Sequence, residues 1–208
     1  MHASRFASSS LRTLATIGFA ALTCAALADT PERVRGTVVG IENNVLTVKS
    51  REGANVAIKL AGGWSVNGVV SAKLGDIKPG DFVGVASVPD KNDIDGLEAL
   101  ELVIFPEAMR GAGEGHRDWD LAPGSKMTNA TVATKVAGVK GETLTLSYKG
   151  GERKIAVPAG TPVVTFAPAA VADLKPGAAV FVPALKKDDG SVLTSRVLVG
   201  KDGVVPPM

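Results

Sequence analysis

Cysteine, histidine and aromatic side chains are scarce in this chain of 208 residues: one Cys, two His, two Trp, one Tyr and six Phe. Cys24 and His2 both fall in the first 28 residues, a stretch that reads as an export signal. Without it, the protein has no disulfide, no thiolate nucleophile and no thiolate metal site. His116 is then its only imidazole. An excess of charge is also missing. Against 21 acidic residues stand 23 basic ones, and two of these, Arg5 and Arg12, belong to the same leading stretch. A neutral chain lacks the basic footprint of a nucleic-acid binder and the polybasic face of a membrane-surface binder. With 4% aromatics it also lacks stacking platforms for single strands. There is no phosphate loop, no dinucleotide fingerprint and no G-x-S-x-G elbow.

The leading stretch itself is informative. Arg5 and Arg12 give a positive start, "LATIGFAALTCAAL" an apolar core, and "ALA" (Ala26 to Ala28) a small-residue cleavage site before Asp29. A transmembrane anchor needs about 18 or more apolar residues, and this run is shorter. Thr23 directly before Cys24 is a poor match to a lipoprotein signal. The expectation is export to the periplasm or beyond, with cleavage after Ala28 and no transmembrane anchor.

The remaining residues repeat themselves. "VAIKLAGGWSVNGVVSAKLGDIKPGDFVGVA" from Val56 lies over "RKIAVPAGTPVVTFAPAAVADLKPGAAVFVP" from Arg153 without a gap. Ile58 falls on Ile155, Gly63 on Gly160, Asp76 on Asp173, and "IKPG" on "LKPG". The preceding strands match with one residue of shift, "VRGTVVGIENNVLTV" against "VATKVAGVKGETLTL". Each unit reads as β. Leu46 and Val48 alternate with Thr47 and Lys49, and Ile58 and Leu60 with Lys59. Asn43-Asn44 and Lys140-Gly141 are hairpin-turn chemistry, and Pro79-Gly80 and Pro176-Gly177 fit the centre of type II turns. "DKNDIDG" and "KKDDG" read as hairpin loops, since an EF-hand frame on the first would put Lys91 and Leu102 where Asp and Glu belong. Five strands with a short helical turn before the fourth is the layout of a small barrel of the OB type.

These motifs carry a resemblance. The pattern of G-x-V, an "LTV" strand, the "KPG" turn running into an alternating valine strand, and a closing strand resembles a bacterial family of secreted proteins. That family has tandem OB-like β-barrel repeats and is catalogued as a domain of unknown function. The resemblance spans both units and implies an all-β fold, a bacterial source and a periplasmic or secreted address. It brings no catalytic residues. The expected organisation is a signal peptide (1–28), a first β-barrel repeat (29–108), a Gly-rich ordered connector (109–128), a second β-barrel repeat (129–203) and a tail (204–208).

The connector "GAGEGHRDWDLAPGSKM" holds the candidate chemistry. If it is extended, Glu114, His116, Asp118 and Asp120 share one face and Arg117, Trp119 and Leu121 the other, with same-face neighbours about 6.5–7 Å apart. Imidazole with carboxylates suits Zn, Mn or Fe, and Glu107 could add a ligand. The competing reading, which we favour, is a connector pinned by Trp119 against a barrel wall with its charges solvated. A relay of Ser125 and His116 with Asp118 or Asp120, or a Glu114/Asp118 glycosidase pair, lacks the positioned partners such chemistry requires. Trp64, matched by Thr161, is special to the first unit and stands as a binding or core residue, as does Trp119. "NAT" at Asn129 would be a glycosylation site only in a eukaryotic secretory pathway. The sequence thus points to a non-enzymatic periplasmic or secreted binding or scaffolding module for a small ligand, an envelope polymer or a protein. The alternative is a divalent-metal-binding accessory protein of the cell envelope that uses Glu107, Glu114, His116, Asp118 and Asp120.

Overall fold

The structure, a computed structural model, describes residues 29–91, 93, 96–138 and 141–207. The stretch expected to be a signal peptide (1–28), the Lys140 side of one expected turn and most of the "NDID" loop lie outside these residues. The described chain is all-β, with three 3-10 turns, at Leu74–Asp76, Glu107–Met109 and Val171–Asp173, and no α-helix among the described residues. Its strands are β1 (Thr30–Glu42), β2 (Val45–Ser50), β3 (Asn55–Ser71), β4 (Phe82–Pro89), β5 (Leu97–Ile104) and β6 (Gly115–Asp118). They continue with β7 (Lys126–Gly138), β8 (Gly141–Tyr148), β9 (Gly151–Pro158), β10 (Val163–Pro168), β11 (Ala179–Lys186) and β12 (Val192–Gly200).

Turn chemistry sets the local hairpins. Asn43 and Asn44 both take positive φ (50° and 61°) between Glu42 and its partner Val45. That is the two-residue turn whose twist suits a hairpin. Gly80 and Gly177 take φ of 94° and 85°. Asp81 N–H donates to Lys78 O at 3.1 Å and Ala178 N–H to Lys175 O at 2.9 Å, closing two type II turns.

Pairing between the hairpins departs from the expected organisation. β1, β2 and β3 form a closed five-strand barrel with β11 and β12, which come from the other end of the chain. It closes through the parallel β3–β12 pair. β7, β8 and β9 in turn form a ring with β4 and β5, closed through a short parallel contact of Leu97 and Glu98 with Ile155 and Ala156. Neither ring is built from one repeat unit. The fourth and fifth strands have changed places, so the boundary expected near residue 108 separates no two barrels.

The exchange is held at the "KPG" turns. Gly80 N–H donates to Val132 O and Val132 N–H to Asp81 O, both at 2.8 Å. Gly177 N–H donates to Val38 O at 2.8 Å and Val38 N–H to Ala178 O at 2.9 Å. Val38 and Val132 are therefore counterparts, both fully buried and both just before a bulge. The sequence match had set Val34 on Val132. The true correspondence of the first strands is displaced by four residues, which leaves Val136 60% exposed.

Three cores follow. Val34, Val38, Leu46, Val48, Ile58, Val182 and Val197 fill the first ring. Val83, Val85, Leu102, Val132, Leu144 and Ile155 fill the second. The third joins the outer faces of both: Val69, Val103, Val164, Phe181 and Leu198, with Phe105, Phe166 and Trp119 against it. β3 and β10 cross this core side by side and antiparallel.

Candidate functional site

The connector is ordered by its ends. Glu107 pairs with Arg110 at 2.6 Å, and Arg110 also donates to Gly80 O at 3.0 Å, tying the 3-10 turn to the exchanged hairpin. The Arg110 hydrogen bond holds the Glu107 carboxyl below its usual range. Glycines 111, 113 and 115 then take positive φ, so the chain turns rather than runs straight. Only Gly115–Asp118 is extended, as β6, paired antiparallel with Lys126–Asn129 of β7.

The side chains expected to converge are held apart by separate partners. Glu114 accepts from Lys149 N–H at 2.9 Å. His116 Nδ1 is 2.8 Å from Thr128 Oγ1, and its ring stacks near Tyr148 with centroids 6.4 Å apart. Asp118 is paired with Lys126. Asp120 has left the strand and reaches β1, with Oδ1 2.7 Å from Arg35 Nη2 and Oδ2 3.4 Å from Arg33 Nη1. Among the described residues no group of three or more His, Cys, Asp and Glu could hold a metal ion. The single-face arrangement of Glu114, His116, Asp118 and Asp120, with Glu107 beside it, does not form, because the alternation that would align them lasts only four residues.

Burial lowers the His116 pKa, aided by the positive charges of Arg153 and Lys126 against a smaller opposing effect of Asp118. For Asp120, partial burial opposes ionisation, but the Arg35 hydrogen bond and the charges of Arg35 and Arg33 outweigh it and set the pKa low. Trp119 lies against the third core with Arg33 stacked 3.9 Å from its ring centroid and Arg117 at 5.7 Å. Its Nε1 is buried with no hydrogen-bond partner. Trp64 is half-buried and packs on the first ring's core, away from Trp119 in the sequence and in a different cluster.

What these contacts build is a cleft of about 280 Å³ beside β1. Arg33, Arg35, Ser50, Arg51, Glu52, Val56, Asp120 and Leu121 contribute to its lining, together with Glu32 and Val34. β1 alternates here: Val34 is buried in the ring, while Arg33 and Arg35 share the outer face with the Asp120 carboxylate. The three arginines were not singled out from the sequence. The only local signal was the Arg33-Val34-Arg35 alternation, and the carboxylate that marks it lies 85 residues away from Arg35. No family model, no curated protein and no solved structure matches the chain.

Proposed function

We propose that the protein is a non-enzymatic binding module, exported to the periplasm or beyond after removal of residues 1–28, and built on two OB-like barrels that have exchanged hairpins. Its ligand site is the cleft between β1, the β2–β3 turn and the connector, and it takes ligands that carry carboxylate groups. The observation behind this reading is the convergence of Arg33 and Arg35 on one carboxylate, that of Asp120, which is still 46% exposed. Planar guanidinium groups suit carboxylates in paired geometry. Arg51 lines the same cleft and adds a third positive group. Glu32, Ser50 and Glu52 line it too, and the Ser50 hydrogen bond holds the Glu52 carboxyl below its usual range.

Asp120 acts in this reading as a tethered competitor. A ligand carboxylate gains contact with Arg33 and Arg35 as Asp120 moves aside. The test is a titration with succinate at constant ionic strength, followed by the side-chain N–H resonances of Arg33 and Trp119. Saturable shifts are expected with succinate and not with chloride. Asp120→Asn should tighten the response and Arg33→Gln should weaken it at least tenfold. Shifts that are linear in succinate, or unchanged in Arg33→Gln, would remove the cleft from consideration.

A further inference from the structure

The two rings treat one strand edge differently. Val38 uses its N–H and C=O on the side of β11, and Arg35 C=O accepts from Arg51 N–H on the other side at 3.0 Å. Alternation along β1 therefore turns the Arg33 N–H and C=O, and the Pro31 C=O, away from β11. β2 reaches only as far as Gly36, which pairs with Ser50. Among the described residues no strand pairs with this outer edge of β1 before Gly36. Counting back from the counterparts Val38 and Val132, Glu32–Arg35 corresponds to Lys126–Asn129. In the second ring that same edge is covered, residue for residue, by β6. The first ring lacks a β6, and the Arg-lined cleft lies where one would run.

We infer that the outer edge of β1 around Arg33 docks an extended acidic segment of a partner polypeptide, which adds as an antiparallel strand in the way β6 adds to β7. The inference rests on the binding-module reading above and names the partner of that site. Strand addition supplies main-chain hydrogen bonds, and the flanking side chains supply selection. Residues of the segment opposite Arg33 and Arg35 would stand on the outer face, where Asp120 now places its carboxylate. A second copy of this chain fits poorly. Two β1 edges paired antiparallel through their outward amides would set Arg33 against Arg33 or Arg35, and like charges directly opposite are unfavourable. Pro31 ends the edge on one side and the Arg51–Arg35 bond on the other, so the added strand is short, as β6 is.

The experiment uses capped eight-residue peptides on the whole exported chain. One alternates Glu with Val, one alternates Lys with Val, and one is the Glu peptide N-methylated on alternate residues so that one edge cannot donate. The Glu peptide is expected to bind, to slow exchange of the Arg33 amide by tenfold or more, and to give cross-strand contacts to β1 protons. The Lys peptide and the N-methyl peptide registered to oppose Arg33 should both fail. Arg33→Pro, which removes the outward donor together with the guanidinium, should abolish the cross-strand contacts to β1 protons, whereas Arg33→Gln should weaken binding yet keep those contacts and the slowed exchange of the residue 33 amide. The unmodified protein with the N-methyl peptide gives the same information should Arg33→Pro not fold. Succinate is titrated into the same samples. Binding of succinate with equal binding of the Glu and N-methyl peptides, or with no protection at Arg33, overturns strand addition and leaves the cleft. No response to either ligand overturns both.

Discussion

Val69 of β3 stands directly opposite Phe166 of β10 in the antiparallel pair at the middle of the molecule. The two are counterparts in the ungapped sequence match, so each occupies in its own unit the position the other holds in its unit. Gly68 pairs with Ala167 and Val70 with Thr165, which repeats the relation on either side. An approximate two-fold axis therefore passes between Val69 and Phe166, through the third core. Val69 is fully buried there.

That position couples the two rings. Val69→Ala removes two buried methyl groups at the axis and should cost about 2 kcal/mol, within the range for full burial of such a side chain. Urea unfolding should remain a single transition, shifted to lower denaturant for probes in both rings. Two transitions, with only one moved, would mean that the rings unfold independently.

The exchange of hairpins makes a different prediction about cleavage. A protease site placed at Gly111–Gly113 should yield two pieces that stay together under native conditions, because each ring contains strands from both pieces. Size-exclusion chromatography of the nicked protein should give one peak at the intact volume, and denaturant should be needed to part it. Two separately folded fragments on the column would contradict the pairing of β1 with β11 and of β4 with β7.

Within the connector, Trp119 should matter more than His116. A fully buried Trp truncated to Ala typically costs about 3–5 kcal/mol, and Trp119, half-buried, should cost about 2 kcal/mol. His116→Ala removes one neutral hydrogen bond to Thr128 and should cost about 1 kcal/mol. Thermal melts of both variants check the order. Addition of a chelator should shift neither variant, nor the parent protein.

His116 also sets a pH dependence. Its folded pKa is lowered, so the unfolded chain takes up a proton first as pH falls below the ordinary imidazole value of 6.5. Stability should therefore decline as pH drops from about 7 through that value and level off below the folded pKa. Asp120, also lowered, loses its contribution only at more acid pH, as its carboxylate protonates. Melts from pH 8 to 4 should show the upper step in the parent and not in His116→Gln. An upper step that survives the substitution would assign it elsewhere.

Strands and turns were readable because their signals are local. Asn43-Asn44, Pro79-Gly80 and Pro176-Gly177 dictate backbone conformation within four residues, and alternation marks the buried face. Ring membership was not, because a hairpin such as β4–β5 meets the same kind of edge on β1 as on β7. What separates the outcomes is β3, which runs unbroken through Gly62 and Gly63 to Ser71 and carries the chain across to the other ring. In the second unit Thr161 and Pro162 interrupt the same stretch. The four-residue slip in the first strands has an equally plain cause. Val34 and Val38 repeat at the spacing of Val132 and Val136, so composition alone fits two registers. At the candidate site, the glycines and the distant pull of Arg33 and Arg35 on Asp120 end the alternation after four residues.

The first ring closes late, since β1 through β3 wait on β11 and β12. During synthesis from the N-terminus, the second ring has all its strands once β9 emerges, while the first stays an open sheet until residue 200 is delivered. Folding order is thereby inverted with respect to chain order, and it depends on contacts of long sequence separation, which slow folding. A chain stalled or clipped just before β12 would lose the ring at its start and keep the one at its middle. β12 is in effect a check that every strand the first ring needs has been made.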